Sequence, residues 1–164
     1  MTQARKKGPV LGNPQKRSNV PYATERVFVD RFLEALMGNP EPLAATCYIR
    51  EFNNGTSSKP DIVAVSESGQ VIAIEAKLSR WRDAMQQAYR NAFFADRSYV
   101  LLPPAAAARA AANIEEFRLR GVGICTLEDG KVTIVAEAPL LKPYNLYRRE
   151  MARDLAEKRR HRRR

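Results

Sequence analysis

"PDIVAVSESGQVIAIEAK", residues 60–77, holds two runs rich in β-branched residues on either side of a Ser-Gly turn, and the second run ends in a carboxylate and an ammonium two positions apart. Such runs predict two strands. Glu67, Ser68 and Gly69 would form a three-residue hairpin loop, with glycine at the left-handed position such loops want. In that register Ser66 pairs with Gln70, and Asp61 falls directly opposite Glu75. Side chains two apart on a strand share a face, so Glu75 and Lys77 point the same way.

Two facing carboxylates have Cβ atoms about 5 Å apart, and like charges so placed destabilise the pair unless something neutralises them. A divalent cation does so. Oxygen donors from Asp61, Glu75, the backbone carbonyl of Ala76 and water suit Mg²⁺, with Mn²⁺ as the alternative. Lys77 beside such an ion would orient or deprotonate a water nucleophile, or stabilise a pentacovalent phosphate. These parts suffice for phosphodiester hydrolysis. The bland alternative is a register slip, which leaves Asp61 at a strand start and Glu75 and Lys77 as a solvated rim pair.

Working outward, "ATERVFVDRFLEALMG" places Phe28, Phe32 and Leu36, with Val29 and Leu33, at helical spacing; Thr24 is the candidate N-cap and Gly38 the stop. "TCYIREF" alternates as a strand. "SRWRDAMQQAYRNAFFA" predicts a helix whose apolar face runs through Trp81, Ala84, Met85 and Ala88, and "RSYVLLP" a buried strand, so a crossover joins them. "PAAAARAAANIEEFRLRG" predicts one Ala-rich helix opened by proline and closed by Gly121, and "VGICTLE" and "KVTIVAEA" flank an Asp-Gly turn. A final helix carries Tyr147, Met151 and Leu155 at four-residue spacing. The fold class expected is α/β (α+β): a mixed β-sheet flanked by helices, in the order αβββαβ followed by αββα.

A chain of 164 residues, 45% hydrophobic, supports one buried core. The formal charge of +10 is concentrated at the two ends. Residues 1–22 hold five Lys/Arg and no acid, residues 148–164 hold nine against three acids, and residues 23–147 hold fourteen against fifteen. This divides the chain into a disordered basic arm over 1–22, a domain over 23–147, and a basic helix and tail over 148–164. Arg5, Lys6, Lys7, Lys16 and Arg17 in the arm, and Arg148, Arg149, Lys158, Arg159 and Arg160 in the tail, are the candidate phosphate contacts. DNA is the expected partner, RNA a further candidate, with contacts that are salt-sensitive and blind to sequence. Solubility or targeting is the competing reading of the same charge.

The "PD" of Pro60 and Asp61, the "EAK" of Glu75 to Lys77 after a strand and turn, and the following helix with "QQA" resemble the PD-(D/E)XK nuclease superfamily, whose fold is restriction-endonuclease-like. The resemblance spans about residues 24–102. It implies a Mg²⁺-dependent nuclease, most plainly an endonuclease, in which Asp61 and Glu75 ligate the metal and Lys77 is the catalytic lysine. It also implies a further acid on the first helix, matched by Glu25, which serves equally well as a first-turn carboxylate on the helix dipole. Gln87 is similar to glutamines that some members aim at the site from the helix after the lysine; Gln86 is its neighbour and substitute. Where one branch of the superfamily carries a tyrosine four residues after its glutamine, this chain has Arg90 or Asn91. Many small domains of this kind act as homodimers.

The single histidine, His161, sits in the basic tail, which excludes His-based nucleases, zinc fingers with His ligands and Ser-His-Asp hydrolases. "GTSSKP" lacks the spacing of a phosphate-binding loop. Cys47 and Cys125 lie in strand-like runs and suit reduced core thiols. No apolar run approaches bilayer length and no apolar stretch follows the basic N-terminus, so a cytoplasmic protein without membrane contact is expected. Two other classes remain open: a catalytically inactive nuclease-fold module that holds nucleic acid in a larger assembly, and an RNA-associated or packaging protein whose function lies in separable tails.

Overall fold

The computed structural model describes residues 22–53, 55 and 59–161. Arg5, Lys6, Lys7, Lys16 and Arg17 lie outside the described residues. Among the described residues five helices and six strands follow in order: α1 (Glu25–Gly38), β1 (Ala45–Arg50), β2 (Ile62–Ser66), β3 (Val71–Ala76), α2 (Trp81–Asn91), β4 (Arg97–Leu102), α3 (Pro104–Ala111), α4 (Ile114–Arg120), β5 (Gly123–Glu128), β6 (Lys131–Ala136) and α5 (Leu146–His161). The strands form one sheet in the sequential order β1 to β6. Pairs β3–β4 and β4–β5 are parallel and the rest antiparallel, so the expected mixed α+β architecture is what the chain adopts.

The hairpin β2–β3 fixes the register on which the site depends. Ile62 pairs with Ile74 and Val65 with Val71, and Ser66 N–H donates to Gln70 O at 3.0 Å. Extended by one residue, that register sets Asp61 opposite Glu75. Gly69 adopts φ +77°, the left-handed conformation this loop requires, and Gly69 N–H donates to Ser66 O. Both strands are buried on both faces, which explains their unbroken apolar runs. Ile62, Ala64, Ile72 and Ile74 pack with Phe28, Phe32 and Leu36 of α1. Val63, Val65, Val71 and Ala73 pack with Phe94 and with Ala152 and Ala156 of α5. A third cluster joins Trp81, Met85 and Ala88 of α2 to Val100, Leu102 and Phe117, so Trp81 is a core residue at 6% exposure.

Two elements differ from expectation. The Ala-rich helix is broken into α3 and α4, because Asn113 takes a non-helical φ/ψ of −119°/36° and its Nδ2 donates back to the carbonyl of Arg109. A short amide that bonds its own backbone competes with helix continuation. The second concerns the end of the chain: α5 is not a separable tail. Its buried face is Ala152 and Ala156, with Met151 half-buried, whereas Tyr147 and Leu155 of the expected stripe are 74% and 42% exposed. The small alanines let the helix lie close on β1 and β2, and the boundary drawn at residue 148 falls inside it. Deleting 148–164 would therefore open the core.

Arg149 is corrected by the same geometry. Its Nε lies 2.9 Å from both carboxylate oxygens of Asp96, its Nη2 2.8 Å from Asp96 Oδ2, and a further bond reaches Gly69 O. Asp96 in turn accepts Val71 N–H at 2.7 Å. The guanidinium is committed to tying α5 to the β2–β3 hairpin rather than to phosphate. Arg149→Ala leaves a buried carboxylate unpaired, and we expect urea denaturation to show a loss of about 3 kcal/mol, the low end for breaking a buried pair.

Cys47 and Cys125 are free and buried, as expected. Among the described residues no helix is long and apolar enough to cross a membrane.

Candidate functional site

The end of β3 meets the start of β2 at the N-terminus of α1. Thr24 caps α1 through Val27 N–H, which sets Glu25 in the first turn. Asp61 precedes β2, and its Oδ2 accepts the backbone N–H of Ala76 at 2.8 Å. Lys77 leaves the sheet just after β3, its own N–H held by Leu101 O at 3.1 Å, and its Nζ lies 3.0 Å from Glu25 Oε2. Asp61, Glu75, Lys77 and Glu25 are thus brought together. For Glu25, the first-turn position and the contact with the candidate lysine are both realised.

Glu75 is 2% exposed. Burial, its first cause, pushes its carboxyl up to about 7; the Asp61 charge adds to the rise, while the Asn91 hydrogen bond and Lys77 oppose it. Asp61 is raised as well, first by burial, with the charges of Glu25 and Glu51 adding to it and the Ala76 N–H and Lys77 opposing. Three carboxylates, Glu25, Asp61 and Glu75, therefore share the Lys77 ammonium, and Glu51 adds its charge at Asp61.

Two of these neighbours escaped sequence reasoning. Asn91, fully buried at the C-terminal end of α2, donates Nδ2 to Glu75 Oε1 at 2.8 Å. It stands four residues after Gln87, and that offset was the available signal. Glu51 sits just past β1 with φ +51°, and its N–H donates to Asp61 O at 3.1 Å. Nothing in its local sequence marks it, because the contact depends on β1 pairing with β2. Gln87 is half-buried and makes no hydrogen bond to Asp61, Glu75 or Lys77, and Gln86 is exposed.

The donor chemistry fits a hard divalent cation, since the buried Glu75 and the half-buried Asp61 are both raised by burial and by neighbouring carboxylates, with Lys77 as the positive charge that opposes this. Among the described residues no three Asp, Glu, His or Cys side chains group closely enough to hold an ion by themselves. The protein's share would be Asp61, Glu75 and the carbonyl of Ala76, with water completing the shell.

The basic end of α5 adjoins this region. A cleft of about 280 Å³ is lined by Arg50, Glu51, Phe52, Asn53, Lys158 and Arg159. Lys158, Arg159 and Arg160 are exposed and make no ion pair with described residues. Arg148 is half-buried, its guanidinium packed against Gly55, where a Cβ would collide with it.

No family model matches the chain, and no curated protein matches it. Among solved structures it is similar to a Silicibacter pomeroyi protein of unknown function, at TM-score 0.59 and 20% identity over 82% of this chain and 86% of the other, which shows a shared fold. A repair endonuclease from Pyrococcus abyssi aligns at TM-score 0.45 and 16% identity, over 61% of this chain and 46% of the endonuclease. SfsA of Pyrococcus furiosus, solved in complex with Ca²⁺, aligns at TM-score 0.36 and 16% identity, over 70% and 61%.

Proposed function

We propose that this chain is a metal-dependent nuclease of the PD-(D/E)XK kind that hydrolyses phosphodiester bonds of DNA with Mg²⁺ held by Asp61, Glu75 and the Ala76 carbonyl. The observation that carries this reading is the convergence of Asp61, Glu75 and Lys77 at one strand end, in the register the hairpin dictates, with both carboxyls raised first by burial and then by neighbouring carboxylates, Asp61 acting on Glu75 and Glu25 and Glu51 acting on Asp61. A bound divalent ion would supply charge neutralisation and an acidified water.

The remaining chemistry belongs to the chain. Asn91 holds Glu75 in one orientation through Oε1. The Ala76 N–H fixes Asp61, and Glu25 draws the Lys77 ammonium to the mouth of the site. From there Lys77 can orient a water or stabilise charge on a phosphoryl oxygen. Lys158, Arg159 and Arg160 hold the phosphate backbone beside the Glu51 end of the site, joined by the arm residues Arg5, Lys6, Lys7, Lys16 and Arg17.

A second reading is favoured by one observation: the protein's own side chains already engage both groups, Lys77 through Glu25 and Glu75 through Asn91. An inactive module of the same fold that binds nucleic acid in a larger assembly would look alike. End-labelled single-stranded, duplex, flapped and four-way-junction DNA, with RNA, incubated with Mg²⁺, Mn²⁺ or chelator, separates the two. We expect cutting that requires metal; binding without cutting on every substrate would establish the inactive module.

A further inference from the structure

Away from the strand end, the C-terminal turn of α2, the end of α4 and the segment 139–144 enclose a groove of about 590 Å³. Its walls present Tyr144, Tyr89 and Phe93, which are 87%, 52% and 36% exposed, alternating with Arg90, Lys142 and Arg120. Large aromatic faces left in water beside cations are costly to keep unless something covers them. The walls are fixed in advance: Leu141 N–H donates to Asp96 O and Asn145 N–H to Phe93 O, both at 2.8 Å, so the 141–145 segment is stitched to the end of α2.

Charge selects the occupant. Among the described residues no acidic side chain lines the groove, and Arg90 and Lys142 make no ion pair. A second copy docking symmetrically would set this cationic surface against itself, which argues against a homodimer interface. Duplex DNA offers phosphates but keeps its base faces stacked inside. Single-stranded nucleic acid offers both: bases stack on aromatic rings while the backbone follows a positive groove.

We propose that this groove binds single-stranded nucleic acid, with bases on Tyr144, Tyr89 and Phe93 and phosphates on Arg90, Lys142 and Arg120. Binding here stands without the metal site; its use in presenting a single strand for cleavage rests on the nuclease reading. Asn91 reaches Glu75 from the same turn of α2 whose Tyr89 and Arg90, with Phe93 just after it, line the groove, so one segment serves both places.

The test measures binding in chelator, where no cleavage occurs and failure of the nuclease reading cannot disturb it. Fluorescence anisotropy of labelled oligothymidylate and of a hairpin duplex compares the full chain with Tyr89→Ala/Tyr144→Ala and with Arg159→Ala/Arg160→Ala. The tyrosine variant should lose about tenfold or more on the single strand and about twofold or less on the duplex, because stacking is lost and phosphate contacts remain. The arginine variant should weaken both alike. Lys142→Glu, at an exposed position, should reproduce the single-strand loss and covers the case of a tyrosine variant that does not fold. Unchanged single-strand affinity in folded variants, equal losses on both nucleic acids, displacement of the oligonucleotide by poly-glutamate as readily as by unlabelled strand, or a fall in sedimentation coefficient on mutation would each overturn the proposal, the last by showing a contact between copies.

Discussion

Lys77→Ala is expected to lower metal-dependent DNA cleavage by about 10³-fold or more while leaving DNA affinity within about twofold of the parent. The separation follows from where the charges lie. Among the described residues Lys77 is the one ammonium at the meeting of Asp61, Glu75 and Glu25, and no other basic side chain among them acts on the Glu75 carboxyl. Phosphate binding is proposed to lie elsewhere, at Lys158, Arg159 and Arg160 on the exposed end of α5. Stability should fall little, since the Lys77–Glu25 pair joins side chains 21% and 46% exposed, and such pairs contribute about 0–1 kcal/mol. A loss of cleavage therefore cannot be assigned to unfolding, and circular dichroism of the variant checks this directly. Lys77→Arg divides the roles: an arginine keeps the charge and its pairing with Glu25 but does not give up a proton. Partial recovery by arginine would place electrostatic stabilisation first; none would place proton transfer first. A Lys77→Ala enzyme that cuts like the parent would remove this lysine from the mechanism.

Much of this site was legible because its parts are local. The hairpin register follows from alternation, from a three-residue loop and from one glycine with positive φ, all within residues 60–77, and it sets Asp61 against Glu75 without reference to the rest of the chain. Helix α1 was equally plain, its apolar spacing and Thr24 cap being contained in one stretch. What could not be read was long-range. Glu51 reaches Asp61 only through the pairing of β1 with β2, and Asn91 reaches Glu75 only through the path of the α2 crossover. The basic C-terminus misled for a related reason: its charge is real, but Ala152 and Ala156 signal helix packing more weakly than Tyr147 and Leu155, which face solvent. Arg149 looks like its neighbours in sequence and differs from them solely because Asp96, 53 positions away, lies beneath it.

The second large effect concerns the metal-free protein. Glu75 carries a folded-state pKa of about 7 against an ordinary 4.5, so its charged form is the disfavoured one inside the fold. A group raised in this way contributes stability fully below its unfolded pKa and loses that contribution as pH rises through the folded value. In chelator the protein should accordingly be less stable at pH 8 than at pH 4.5, by about 3 kcal/mol from this group alone, with the change falling between roughly pH 4.5 and 7. Asp61 is raised too and adds to the same slope. Glu75→Gln removes the charge but keeps an amide oxygen for Asn91 Nδ2. In chelator at pH 8 we expect the variant to be more stable than the parent, by up to about 3 kcal/mol, with a flatter pH profile in urea denaturation. Mg²⁺ reverses the order: it should stabilise the parent at pH 8, progressively less as Glu75 is protonated below pH 7, and should neither stabilise the variant comparably nor support cleavage by it. A Gln variant less stable than the parent in chelator at pH 8 would show that Glu75 is held for the fold's sake. Greater stability without the carboxylate would mean that the fold bears a cost at this position, and such a cost is expected where a charge is kept buried to meet a cation.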